Sequence, residues 1–261
     1  MIDLFDRTAV ITGAGSGIGA DVARLFSELN SNVVLIGKTE EKLKRICDSL
    51  KGDSKKVFYF VCDVTDELEL QKVRSSILKI TNKIDILVTC AAAPGASGDM
   101  LSTTFDDWRN VLSVDLDGVF FSCKVFGADM IKNRYGRIVN MTSFHNIATY
   151  PNRVVYNAAK SGVEGLSRAL AVEWGSYGIT VNTVAPGPIR TPRTSGFLSQ
   201  SPDIEDKMCK RTPNARIGEP EDVSSLIAFL VSHQAKHING QQIIVDGGWT
   251  KSAWWGDYEK K

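Results

Sequence analysis

The 261 residues carry a formal net charge of +1, with 43% hydrophobic and 23% charged side chains. That balance belongs to a globular chain long enough to bury a sizeable core, and it gives no electrostatic reason to expect nucleic acid or an anionic membrane as partner. Residues 1–7 lack the features of a secretory leader and no apolar run is long enough to span a bilayer. The five cysteines are well separated, without a Cys-x-x-Cys pair, so the expectation is reduced thiols in a cytoplasmic protein.

Residues 8–12 read as a buried strand that runs straight into Gly13-Ala-Gly15-Ser16-Gly17-Ile18-Gly19, followed by an amphipathic helix to about residue 30. Glycines at such a turn let backbone N–H groups approach a pyrophosphate at the positive end of the helix. The strand before and the helix after favour nucleotide binding over a plain turn. The spacing Gly13-x-x-x-Gly17-x-Gly19 differs from the literal G-x-G-x-x-G, so the match is to the mechanism. A second strand, 32–36, ends in Gly37-Lys38-Thr39 before a charged helix, 40–51. Where a dinucleotide fold places an acid for the ribose 2′-hydroxyl of NAD, this chain has Lys38, which suits a 2′-phosphate. NADP(H) is therefore favoured, with NAD(H) as the alternative.

Strand 57–61 leads to Cys62-Asp63-Val64 and a helix from about residue 66. Asp63 is placed to bind an adenine amino group with Val64 under the ring, or else to cap the helix. Strand 85–89 enters the small-residue stretch Cys90-Ala91-Ala-Ala-Pro94-Gly95, which would let a flat ligand approach a strand's carboxyl end. A long helix is expected over 104–132 and a strand over 137–141, with Ser143 just beyond it. The helix predicted over 155–177 interleaves small and apolar residues broadly enough to be buried on two sides, one of them against another subunit. Strand 179–184 continues into Pro186-Gly187-Pro188-Ile189-Arg190-Thr191. Residues 188–216 then read as a mobile lid, 221–232 as a helix and 241–245 as the last strand. With no linker, repeat or low-complexity tract, a single domain over 1–261 is expected.

Tyr156 and Lys160 stand one turn apart on the 155–177 helix and so share a face. A free phenol ionises near pH 10, but an ammonium beside it favours the phenolate, and a cationic nicotinamide ring would add to the effect. Moving that ionisation to about pH 7 takes roughly 4 kcal/mol, within reach of two positive charges in a partly dry pocket. Such a group exchanges a proton with an alcohol or ketone oxygen. Taken alone Tyr-x-x-x-Lys is a common string, so the reading depends on the rest of the chain.

Together these residues resemble the short-chain dehydrogenase/reductase family in its compact one-domain form. The matching stretches are 12–19, Asp63-Val64, Ser143, Tyr156-Asn-Ala-Ala-Lys160, Pro186-Gly187 and the run 239–248, in the family's order along nearly the whole chain. The resemblance implies an α/β Rossmann-like doubly wound sheet of seven parallel strands, a nicotinamide cofactor and a homotetramer. It implies that Ser143 positions the substrate oxygen, Tyr156 transfers the proton, and Lys160 assists Tyr156 and holds the nicotinamide ribose. It also implies that 186–191 lies along the nicotinamide, with Ile189 and Thr191 at its carboxamide. Two departures stand out. Thr89-Cys90-Ala91-Ala92 replaces the usual Asn-Asn-Ala-Gly, and Asp115 replaces an asparagine that assists a proton relay in many members, leaving open whether its backbone or its side chain is needed.

The expected reaction is hydride transfer between nicotinamide and a secondary alcohol or ketone. The alternatives are an NAD-linked alcohol or polyol dehydrogenase working oxidatively and a catalytically silent dinucleotide sensor or scaffold. No metal is expected, because His145 and the other two histidines show no ligand spacing. His145, Arg153 and Arg193 are the candidates for substrate contact. Six basic against three acidic residues in 188–216 raise the prospect of an anionic substrate, as against scattered surface charge. Trp249, Trp254, Trp255 and Tyr258 make the tail, 249–261, too aromatic to be left in water. It is expected to dock across a subunit boundary, as interface packing or as far as a neighbouring active site.

Overall fold

The computed structural model describes residues 2–50, 56–93, 98–199, 202–254 and 256–258. Residue 51 of the expected second helix, Pro94 and Gly95, lid residues 200 and 201, Trp255 and tail residues 259–261 lie outside the described residues. Seven parallel strands form one sheet: β1 (Thr8–Thr12), β2 (Asn32–Gly37), β3 (Val57–Val61), β4 (Ile86–Thr89), β5 (Gly136–Met141), β6 (Ile179–Pro186) and β7 (Gln242–Val245). Their order is β3-β2-β1-β4-β5-β6-β7. The four central strands, β1, β4, β5 and β6, are buried at every position, as parallel strands covered by helices on both faces are.

Alternation along each strand divides the core between the two faces. Ala9 and Ile11 of β1 pack with α1 (Gly17–Glu28), α2 (Glu40–Leu50) and α9 (Pro220–Val231). Val10 packs on the opposite face with α3 (Glu67–Thr81), α5 (Gly118–Asn133) and α6 (Val154–Trp174). The doubly wound sheet expected from the sequence is present. Because every strand is parallel, all seven carboxyl ends emerge at one edge. Chain order reverses between β1 and β4, and this is where open α/β sheets bind ligands.

Three segments differ from their sequence expectations. The helix expected over 104–132 is α4 (Phe105–Leu112), a π-helical turn (Ser113–Asp117) and then α5, the π turn adding a residue that shifts the helical register. The 155–177 helix ends at Trp174 and closes with a 3₁₀ turn, Gly175–Tyr177. The lid is helical where described. It carries α7 (Pro192–Ser199) and α8 (Pro202–Arg211), each opened by a proline that fits a first helical turn, and an Ile189–Gly218 bridge ties its two ends together. The run 239–248 acts as a clamp. The Asn239 side chain accepts from Val181 N and donates to Ala171 O, each at 2.8 Å, which joins β6 to α6. No helix among the described residues is long and apolar enough to cross a membrane.

Candidate active site

A cleft of about 500 Å³ opens at the carboxyl edge of the sheet. The loop after β1 forms its floor. Gly13 has a φ of 67°, and a Cβ there would lie 2.6 Å from the Ala91 nitrogen and the Cys90 carbonyl carbon. A Cβ on Gly19 would lie 2.5 Å from the Gly13 carbonyl oxygen. Only glycine lets these backbones meet. Ser16 precedes α1 with extended backbone and makes no side-chain capping bond, so the dipole end of the helix faces the cleft without a built-in acceptor. Ser16, Gly17, Ile18 and Gly19 line the space, with Gly17 against Thr191. Gly15 does not; it faces Lys42 of α2. This cradle, glycine at three of its positions and backed by an uncapped helix, fits a dinucleotide pyrophosphate.

Lys38, Asp63 and Val64, expected at an adenosine end, lie outside the cleft lining. Lys38 and Asp63, each read separately from the sequence, form an ion pair at 2.9 Å. Asp63 also accepts from Thr65 N, and α3 is capped by Asp66 instead, which removes the capping alternative for Asp63. Partial burial pushes the Asp63 carboxyl up, but Lys38 and the Thr65 bonds outweigh it and hold it below its ordinary value. Val64 is buried, with its side chain against Gly118 of α5.

The opposite wall carries the polar groups. Ser143, buried, opens a 3₁₀ turn (Phe144–Asn146), and its Oγ accepts from His145 N at 3.3 Å. Helix α6 brings Tyr156 and Lys160 to the same wall, with the Lys160 Nζ 5.7 Å from the Tyr156 ring centroid. Lys160 is only 3% exposed; it donates to Met141 O at 3.2 Å and faces Asp115 Oδ2 at 3.5 Å. Cys90 lines the cleft with its thiol pushed up to about 12 by burial, hence protonated, and its N–H donates to Thr12 O. Ala91 N is held by Thr12 Oγ1 at 3.3 Å. Pro186, Gly187, Ile189 and Thr191 complete the rim, and the Ile189 carbonyl accepts from Thr194 Oγ1 at 2.7 Å.

His145, Arg153 and Arg193 all line the cleft. His145 is sandwiched between Phe144 and Tyr150, stands perpendicular to Tyr156, and its Nδ1 is buried without a partner among the described residues. Burial, helped by the charge of Arg153, lowers its pKa to about 4, so it is a neutral imidazole near pH 7. The lid charges are sorted by the fold. Arg190 pairs with Glu205 and Glu219, Lys210 with Asp206, and Arg216 with Asp222. Arg193 and Arg153 have no ion pair among the described residues, although Arg153 lies over the Tyr150 ring.

Sequence reading missed Tyr150, Thr194, Leu198 and Met208 in the lining. Thr194, three residues after Thr191, and Tyr150, within the stretch leading to Tyr156, had a positional signal. Leu198 and Met208 had none, because only the folded lid points them inward. Part of the tail packs on its own chain. Trp249 packs edge-on against Phe144 of its own cleft wall and beneath Arg211, and Tyr258 N donates to Lys210 O of its own lid helix.

A family model described as "Enoyl-(Acyl carrier protein) reductase" matches residues 13–250. The chain belongs to the short-chain dehydrogenase/reductase family. It is 38% identical over 250 residues to a 3-oxoacyl-(acyl-carrier-protein) reductase of Rickettsia conorii, covering 95% of this chain and 98% of the relative. It is 37% identical to a meso-2,3-butanediol dehydrogenase of Serratia marcescens, covering 95% of this chain and 96% of that one. The crystal structure of a gluconate 5-dehydrogenase from Burkholderia cenocepacia, in complex with NADP and tartrate, superposes with a TM-score of 0.91 at 30% identity, covering 97% and 98% of the two chains. The protein is an NAD(P)-dependent oxidoreductase acting on CH–OH and C=O groups, which leaves the silent sensor or scaffold without support.

Two outcomes follow from this geometry. Gly13→Ala forces a left-handed residue against Ala91 and is expected to weaken binding of the reduced cofactor by about tenfold or more, read by cofactor fluorescence, with the far-ultraviolet circular dichroism retained. His145 titrates near 4 folded against 6.5 free, so between those values the unfolded chain holds the extra proton and stability falls as pH drops. Denaturant unfolding at pH 7 and pH 4 should show a loss on the order of 3 kcal/mol from this residue, absent in His145→Asn.

Proposed function

We propose that this single-domain enzyme interconverts secondary alcohols and ketones with NADP(H) as the favoured cofactor. The observation that carries the reading is the meeting of Ser143, Tyr156 and Lys160 on one wall of the cleft, opposite the glycine cradle. Ser143 Oγ bonds the substrate oxygen and orients it. Tyr156 gives a proton to that oxygen in reduction and takes it back in oxidation. Lys160 stabilises the phenolate and binds the ribose hydroxyls, and Asp115 is a fourth member of the set. When bound, the nicotinamide supplies or accepts the hydride. Cys90, Ala91, Pro186, Gly187, Ile189 and Thr191 flank the ring, and Asp63 with Lys38 meets the adenosine end. The three-residue gap between Tyr156 and Lys160 favours C=O over C=C reduction, in contrast to the enoyl wording of the matching family model.

Support for NADP(H) comes from Lys38, whose exposed ammonium has the charge to meet a 2′-phosphate. Support for an anionic group on the substrate comes from Arg153 and Arg193, cleft cations without a carboxylate partner among the described residues. The gluconate 5-dehydrogenase relative points the same way through its name and its bound tartrate. We further propose a homotetramer in the cytoplasm. Val172 on α6 is 83% exposed and Gly165 has nothing within 4 Å, as a helix face awaiting a second subunit requires. The five cysteines are free thiols.

The test is a screen of neutral and carboxylated ketones and alcohols with both cofactors, followed by absorbance of the reduced ring. Tyr156→Phe is expected to lower kcat by about 10²–10⁴-fold on the best substrate, and parental turnover by that variant would reject the reading. The NADPH-over-NADH ratio of kcat/KM should exceed one and fall about tenfold in Lys38→Asp; a ratio favouring NADH supports the NAD-linked oxidative alternative.

A further inference from the structure

Asp115 is fully buried at the base of the cleft, and it is the one residue of the π turn that is buried. Its Oδ1 accepts the Ala93 N–H at 2.6 Å, which pins the carboxylate to the chain just beyond β4. Its Oδ2 lies 3.5 Å from Lys160 Nζ and has no hydrogen-bond partner among the described residues. A neutral amide here would leave the Lys160 ammonium facing the cleft uncompensated. The carboxylate makes the pair formally neutral.

We propose that Asp115 is a positioning residue that acts as counter-ion to Lys160, and that its negative charge sets the pH range in which Tyr156 exchanges its proton. This rests on the reading of Tyr156 as the proton-transferring group. The argument is a count of charges in a dry site. An ammonium near the phenol favours its ionised form, and a carboxylate against that ammonium cancels much of the field the phenol feels. Burial shields the pair from salt and water, so the opposition is not screened away.

Apart from the cations Arg153 and Arg193 of the cleft lining, the groups around the pair add no charge near neutral pH. His145, from the turn after β5, is neutral because burial lowers it to about 4, and Cys90, at the end of β4, is a thiol raised to about 12. Lys160 is the one charged side chain that α6 buries. The π turn packs on α4 and α5. Helix α4 buries only Val111, and α5 turns Gly118, Val119 and Ser122 inward beside the π turn. Arg153, preceding α6, faces His145. Lys160 and Asp115 are therefore the opposed charges, and removing one exposes the other.

In alcohol oxidation Tyr156 must be ionised to take the substrate proton; in ketone reduction it must hold one to give. A counter-ion that disfavours the phenolate pushes oxidation toward alkaline pH and extends reduction to higher pH. Asp115→Asn removes the charge while keeping an oxygen for Ala93 N–H. Both limbs of the kcat/KM profile are expected to move to lower pH by about one unit in this variant.

A second readout needs no turnover. Ultraviolet difference titration of the parent against Tyr156→Phe isolates one phenol, and the same difference in the Asp115→Asn background should show its ionisation at lower pH. If Asp115→Asn does not fold by circular dichroism, Asp115→Ser carries the same expectation. Profiles that superimpose, that move to higher pH, or that drop uniformly at every pH overturn the counter-ion role. Loss of activity in Tyr156→Phe without a shift in Asp115→Asn rejects only this inference, whereas activity surviving in Tyr156→Phe rejects the reading beneath it.

Discussion

The site depends on a buried ammonium. Lys160 is withdrawn from water almost completely, which is costly unless its donors are met. The Met141 carbonyl at the end of β5 accepts one of them, and the Asp115 carboxylate of the π turn, 3.5 Å away, balances the charge. One residue thereby joins the sheet edge, helix α6 and the π turn, and the cleft wall is only as well ordered as that junction. Ser143 stands two residues beyond Met141 and Tyr156 one helical turn before Lys160, so both inherit their positions from it.

The opposite wall is organised by close approach and by an absence of side chains. Gly13 and Gly19 let the first loop settle onto Ala91 at the reversal point of the sheet, and Gly187 similarly meets the Asp246 backbone. The outcome is a slot with a backbone floor and a polar wall. Such a slot suits the proposed placement of a flat, phosphate-bearing cofactor against the backbone floor and of the substrate oxygen against the polar wall. Above it, Arg190 holds helix α8 through Glu205, and the tail braces α8 through Trp249 and Tyr258. Arg153 and Arg193 line the cleft without an ion pair among the described residues.

The alternation of short apolar runs with amphipathic segments was legible before any coordinates, because strand and helix periods are local properties of the chain. The same holds for the glycine turn after β1 and for the step from Tyr156 to Lys160. The π turn was not legible, since residues 104–132 keep a helical pattern throughout and a one-residue shift leaves no compositional mark. The helices of the lid were hidden by their prolines and serines, which suit a first helical turn as well as a loop.

By itself, then, the sequence determined the strands, the helices outside the lid, and which side chains share a helical face with the phenol. Tertiary structure alone decided that Lys38 meets Asp63, that Asp115 meets Lys160, that Val64 packs on Gly118, and that Arg153 and Arg193 have no carboxylate among the described residues while Arg190 and Arg216 do. The physical reason is range. Periodicity and turn chemistry act over a few residues, whereas the pairing of charges distant in sequence depends on how parallel crossovers stack strand ends at one edge of a sheet.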